Sequence, residues 1–124
     1  MVYMAVGLAG VVGALLRYYI GLAVQAGWDV PFPLGTLVVN GIGCFAVGWM
    51  TTAPYARRIP EMVRQSIGTG LIGSFTTFSA FSVETVELVQ AQRWGAAIGY
   101  MLDSLWGGLL LAWIGMRVGS FKVR

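Results

Sequence analysis

The sequence predicts an all-α membrane protein of four transmembrane helices, the third broken in mid-membrane, and three observations lead there. Of 124 residues, 57% are hydrophobic and 10% charged, whereas a soluble domain carries about 25% charge. With a mean hydropathy of +0.75, too few polar residues remain to coat a water-facing surface. The apolar residues also fall into four runs, each close to the roughly 20 residues a spanning helix needs. Finally, the stretch Gly70-Leu71-Ile72-Gly73-Ser74-Phe75-Thr76-Thr77-Phe78-Ser79-Ala80-Phe81-Ser82 sets glycine, hydroxyls and rings at the centre of the third run. Irregular backbone survives at that depth only inside protein or beside a polar cavity.

The first helix covers about 2–23, interrupted only by Arg17. It has no charged segment before it and no cleavage site leading to a soluble domain, so it reads as a spanning helix and not as a signal peptide. The loop from Gln25 to Pro33 ends it, because Pro31 and Pro33 each remove a backbone donor and restrict the residue before. The second helix runs over about 34–52 and is closed by Pro54, Arg57, Arg58 and Pro60. The third covers about 63–89 with a break near 73–78, and the fourth about 94–118, before a short basic tail. Trp28, Trp49, Trp94, Trp113 and Tyr55 fall near helix ends, where amphipathic rings settle at the membrane interface.

Eighteen glycines suit lipid, where close backbone approach replaces the hydrophobic effect in holding helices together. Gly10 and Ala14, Ala9 and Gly13, then Ser66, Gly70 and Ser74, then Gly99, Asp103 and Gly107 stand four apart and read as packing stripes. Four short helices bury little of themselves, and Asn40, Thr76, Thr77 and Asp103 would face lipid in a lone chain. Oligomerisation is expected.

Histidine is absent and Cys44 is the one cysteine. Metal sites built on His and Cys, disulfides within the chain and Cys/His catalysis are thereby excluded. Cys44 reads as a small packing residue. No basic cluster interleaved with exposed aromatics points to nucleic acid, and no nucleophile–base pair points to an enzyme. With four spans, Arg57, Arg58, Arg64, Arg117, Lys122 and Arg124 share one side, against Arg93 and at most Arg17 on the other. The positive-inside rule then puts both termini in the cytoplasm.

Local chemistry suggests an ion path. Carbonyls near a break at Gly73 and Thr76 are suited to a hard monovalent cation, as in unwound transporter helices; the alternative is a kink repaired by Ser74 and Thr76 side chains. Phe78 and Phe81, three apart, share a helical face. They are either core or a pair of electropositive ring edges for a small anion. Thr77 and Glu84 lie nearly in line beside that face. Asn40, with Thr36 one turn before and Cys44 one turn after, is either interhelical glue or a neutral donor to an anion. Arg17 either snorkels or forms an anion-gathering vestibule. Tyr100 and Ser104, four apart on the last helix, extend a hydroxyl-lined path. Asp103 and Glu84 are intramembrane carboxylates.

The sequence resembles the Fluc (CrcB) family of fluoride channels over all four helices. The matching text is Gly13-Ala14-Leu15-Leu16-Arg17-Tyr18, then Leu34-Gly35-Thr36-Leu37-Val38-Val39-Asn40, then Gly73-Ser74-Phe75-Thr76-Thr77-Phe78-Ser79-Ala80-Phe81-Ser82 followed by Glu84. The resemblance implies passive, fluoride-selective export from the cytoplasm through the plasma membrane, by an antiparallel dual-topology-type dimer with two interfacial pores. It implies pore or anion-binding roles for Asn40, Phe78, Phe81, Thr77, Ser79, Tyr100 and Ser104, and a vestibule at Arg17 and Glu84. It further implies a structural Na+ at the dimer interface on the backbone carbonyls of Gly73 and Thr76. Two departures stand out. Where the family reads TTFSTF this chain reads TTFSAF, so Ala80 supplies no hydroxyl to the polar track. The charge bias also favours one fixed orientation, which makes an oppositely oriented paralogue an alternative partner to a second copy. A small multidrug transporter is the competing class, but it wants a carboxylate in the first helix, and none is there.

Overall fold

The structure, a computed structural model, describes residues 1–121. Lys122 and Arg124 of the basic tail lie outside the described residues. All regular elements among the described residues are helical. They are α1 (Val2–Ala26), α2 (Leu34–Thr52), α3 (Glu61–Gln65), α4 (Gly73–Phe75), α5 (Phe78–Gln90), α6 (Trp94–Leu102) and α7 (Gly108–Ser120). A 3-10 turn at Pro54–Arg57 follows α2, and wide π-helical turns at Ser66–Ile72 and Asp103–Gly107 join α3 to α4 and α6 to α7. Among the described residues three helices are long and apolar enough to cross a membrane: Val2–Ala26, Leu34–Thr52 and the continuous Trp94–Ser120. The chain is a multi-pass membrane protein.

α1 runs three residues past its expected end, because nothing before Gly27 interrupts the helical ladder and the prolines act only at 31 and 33. At the other end of the molecule Pro60 caps α3. There Arg64 Nε donates to Glu61 Oε2 and Gln65 Nε2 donates to Glu61 Oε1, each at 2.9 Å. The hydrogen bonds from Gln65 and Arg64 hold the exposed Glu61 carboxyl below its usual range.

Helix contacts are made largely through glycine. A methyl added at Gly48 would fall inside the carbonyl of Ala112, and one at Gly115 would strike the carbonyl of Phe45, so α2 and α7 lie backbone against backbone. Gly13 against Leu71 and Gly70 against Val6 bring α1 equally close to the Ser66–Ile72 turns. Such approach lets dispersion and weak Cα–H···O contacts replace the hydrophobic drive that lipid removes. The stripe of Gly99, Asp103 and Gly107 behaves differently. A methyl added at either glycine would meet nothing within 4 Å, and Asp103 and Gly107 border a groove shared with Leu37, Asn40 and Gly41 of α2.

One buried cluster joins Tyr100, Ala97 and Leu88, ringed by Phe32, Leu37 and Phe81, and Val39, Ile72 and Phe75 are buried apart from it. Leu8, Leu15, Leu105, Trp106 and Leu109 are all exposed, as a surface covered by lipid or a second chain requires.

Candidate functional site

The backbone between α4 and α5 leaves helical values at Thr76 (φ −77°, ψ 156°) and Thr77 (φ −148°, ψ 125°). Gly73, where the sequence drew attention, is itself helical (φ −62°, ψ −32°). The interruption falls later because two side chains take over backbone groups there. Thr77 N–H, which would continue the ladder onto the Gly73 carbonyl, donates to Asn40 Oδ1 at 2.8 Å, and Asn40 Nδ2 donates to the Thr77 carbonyl at 2.9 Å. Thr77 then caps α5, its hydroxyl accepting from Ala80 N–H at 3.2 Å; that amide is the ladder partner the Thr76 carbonyl would otherwise have. Gly73 and Thr76 are thus among the carbonyls that lose their ladder partners at the break.

Asn40 is therefore first a clamp on the break. One amide N–H is used on Thr77, and the second has no acceptor among the described residues. A groove of about 560 Å³ passes this clamp, lined by Asn40, Thr76, Thr77, Phe78, Phe81 and Ser104. Phe78 is 78% exposed, and its ring lies 5.7 Å from that of Phe81, tilted by 40°. Phe81 in turn packs on Tyr100, centroid to centroid 5.1 Å.

A second cavity, of about 620 Å³, collects Arg17, Glu84, Ser79, Thr36 and Thr77, with Glu87 beside them. Thr77 lines both spaces. Arg17 has no ion-pair partner within 4 Å among the described residues. Glu84 is held from two sides: Thr36 Oγ1 donates to Oε1 at 2.7 Å and Tyr100 Oη donates to Oε2 at 2.6 Å. Both carboxylate oxygens are thus satisfied, as a membrane-embedded acid demands.

Tyr100 departs from expectation. It is completely buried, shut in by Phe81 and by the T-shaped contact of Phe32 at 5.6 Å. Its hydroxyl meets Glu84 and no open path, because the proline-fixed loop folds Phe32 over the ring. Thr36 is the member that sequence reasoning left without a role. Its one available signal was its place one turn before Asn40 on the same face of α2. Cys44 borders the groove, with its sulfur against the open face of Gly108, which agrees with a packing role.

An all-helical multi-pass protein whose apolar surface is split by hydroxyl- and amide-lined grooves has the makings of a membrane transport protein. Residues 4–116 match the family described as CrcB-like protein, Camphor Resistance (CrcB), and the chain belongs to that family. A protein of Bacillus cereus named fluoride-specific ion channel FluC 1 is 47% identical over 127 residues, covering 100% of this chain and 87% of the relative. Fluoride-specific ion channel FluC 2 of Geobacillus kaustophilus is 49% identical over 117 residues, 93% of this chain and 90% of the relative. In Chloroflexus aurantiacus a fluoride-specific ion channel FluC is 40% identical over 119 residues, 95% and 94% of the two chains.

Proposed function

We propose that this chain is a subunit of a fluoride-selective channel that lets the anion leave the cytoplasm passively. The carrying observation is the groove in which the Asn40–Thr77 clamp, Phe78, Phe81 and Ser104 meet. A donor amide and aromatic edges attract a small anion without the tight hold of a lysine. Residues 63–89 form the third span in chain order, interrupted at Thr76–Thr77, and the positive-inside rule puts both termini in the cytoplasm. The chain works as an antiparallel dimer with two pores. Arg17 gathers anions at the vestibule, and Thr77 and Ser79 carry the path past the clamp. Tyr100 acts on that path only through Glu84, which it holds together with Thr36.

A structural Na+ fits the break. The Gly73 and Thr76 carbonyls have lost their ladder partners to Asn40 and Thr77, and hard oxygen donors of this kind suit such an ion. Bound there, it would offset the exposed carbonyl dipoles where two subunits cross.

A second reading makes the chain one half of a heterodimer. Six basic residues on one side against at most two on the other favour a single orientation, and an antiparallel partner would then be a different chain. The test is efflux from liposomes holding this chain, read with a fluoride electrode and compared with chloride. Fast, fluoride-selective efflux is expected, and chloride passing equally well would remove the selectivity. Phe81→Ile and Asn40→Asp are each expected to abolish the flux; normal rates in both would mean that the path lies elsewhere.

A further inference from the structure

The cavity beside Arg17 holds more carboxylates than arginines. Glu84 and Glu87 both line it with Arg17. The same two carboxylates line a further cavity of about 440 Å³, together with Gln25, Phe32 and Arg93. They stand as a ridge between the two spaces, with one arginine on each side. Asp29, in the loop ahead of Pro31, lines neither.

The members of this charged group differ in how they are held. Arg93 donates to the Pro31 carbonyl. Glu84 accepts from the Thr36 hydroxyl on one oxygen and from the Tyr100 hydroxyl on the other. The Glu87 side chain is exposed and takes part in no hydrogen bond or ion pair among the described residues. Its position is set by helical spacing. Thr77, Ala80, Glu84 and Glu87 follow at three, four and three residues along one face of α5, and all four line the Arg17 cavity. Thr77 is the inner limit, shared with the groove of Phe78 and Phe81. Glu87 lies ten residues farther along the helix, or about 15 Å at 1.5 Å per residue. An ion that moves between the groove and the water at this end passes both.

We infer that Glu87 sets the electrostatic potential of this mouth and holds down the rate of anion passage, its carboxylate opposing the attraction of Arg17 where the cavity meets water. The inference deepens the channel reading above and rests on it. A passive pore has the same permeability at low concentration in both directions, so the potential at this mouth counts for efflux whichever way the mouth faces. One unit charge about 7 Å away in water changes the local concentration of a monovalent ion about threefold. At 1 M salt the screening length is about 3 Å, and most of that effect is lost.

The experiment places the full chain in liposomes and compares Glu87→Gln and Glu87→Asp with the parent. Potential is read at Val83→Cys in a Cys44→Ser background. Val83 lines the same cavity one turn before Glu87 and is exposed. Its modification rate is measured with a cationic and an anionic methanethiosulfonate reagent. Glu87→Gln is expected to shift the cationic-to-anionic rate ratio about tenfold toward the anion and to raise fluoride efflux about threefold, both at low salt and both nearly gone at 1 M. Glu87→Asp keeps the charge and should match the parent. A ratio that Glu87→Gln leaves unchanged would overturn the inference. So would efflux that stays flat or falls while the ratio moves, or an effect that persists at 1 M salt. Should neither reagent reach Val83→Cys, the salt dependence of efflux decides alone. The two readouts separate the failures. A shifted ratio with no fluoride passed by parent or variant would sink the channel reading and leave the charge assignment standing. Selective efflux with a flat ratio would do the reverse.

Discussion

The two ends of the molecule are held together by different means. Toward the end bearing Arg57 and Arg117, helices meet largely backbone to backbone, Gly48 on Ala112, Gly115 on Phe45, Gly13 on Leu71 and Gly70 on Val6, with Thr52 Oγ1 donating to the Met116 carbonyl at 2.8 Å. Toward the end bearing Pro31 and Arg93, Gly35 lies close on Gly21 but most links are polar: Asn40 to Thr77, Thr36 and Tyr100 to Glu84, Arg93 to Pro31. Glycine seams leave no room for water or ions. Polar links need space around carboxylate, amide and hydroxyl, and the candidate ion grooves open beside them. A membrane protein that cannot rely on hydrophobic drive between helices thus separates cohesion from conduction along its own length.

Breaking the glycine seam should have the largest effect. Gly48→Leu forces side-chain carbons into the Ala112 carbonyl and must separate α2 from α7; loss of a monodisperse peak on size-exclusion chromatography is expected, and a normal peak would contradict the seam. On the polar side, Glu84→Gln keeps one carbonyl acceptor and leaves one of its two hydroxyl donors without a partner. Its denaturation midpoint in detergent should fall by an amount worth about 1–3 kcal/mol, and Tyr100→Phe by less, since it deletes the donor and keeps the ring. If Tyr100→Phe cost as much as Glu84→Gln, Thr36 would be contributing little. The smallest effect belongs to Gly7→Ala, because Gly7 has no neighbour within 4 Å. Stability within about 0.5 kcal/mol of the parent is expected, and a large loss would show that open glycines also carry contacts.

Much of the candidate site was legible as periodicity. Phe78 and Phe81 three apart, and Asn40 in the middle of an apolar helix, announce themselves because polar or aromatic groups at that depth need a reason. The position of the break was less legible. Glycine marks where a helix can yield, but the backbone leaves the ladder where a competing donor or acceptor waits, and Asn40 is 37 residues away from Thr77. Thr36 and Glu84 are 48 residues apart, and a lone threonine carries no local sign of such a bond. Tyr100 read as a path-lining hydroxyl because four-residue spacing shows a shared face and not what folds over it.

The sequence by itself determined that this is a helical membrane protein, where its long apolar helices lie, and which side chains are too polar for lipid. Those follow from transfer free energies and helical periodicity, which are local. Tertiary structure alone decided which backbone groups go unpaired, that Tyr100 is sealed and Phe78 is not, and that Asp103 has no hydrogen-bond partner among the described residues. Hydrogen bonds between distant segments depend on how helices cross, and no spacing along the chain encodes a crossing.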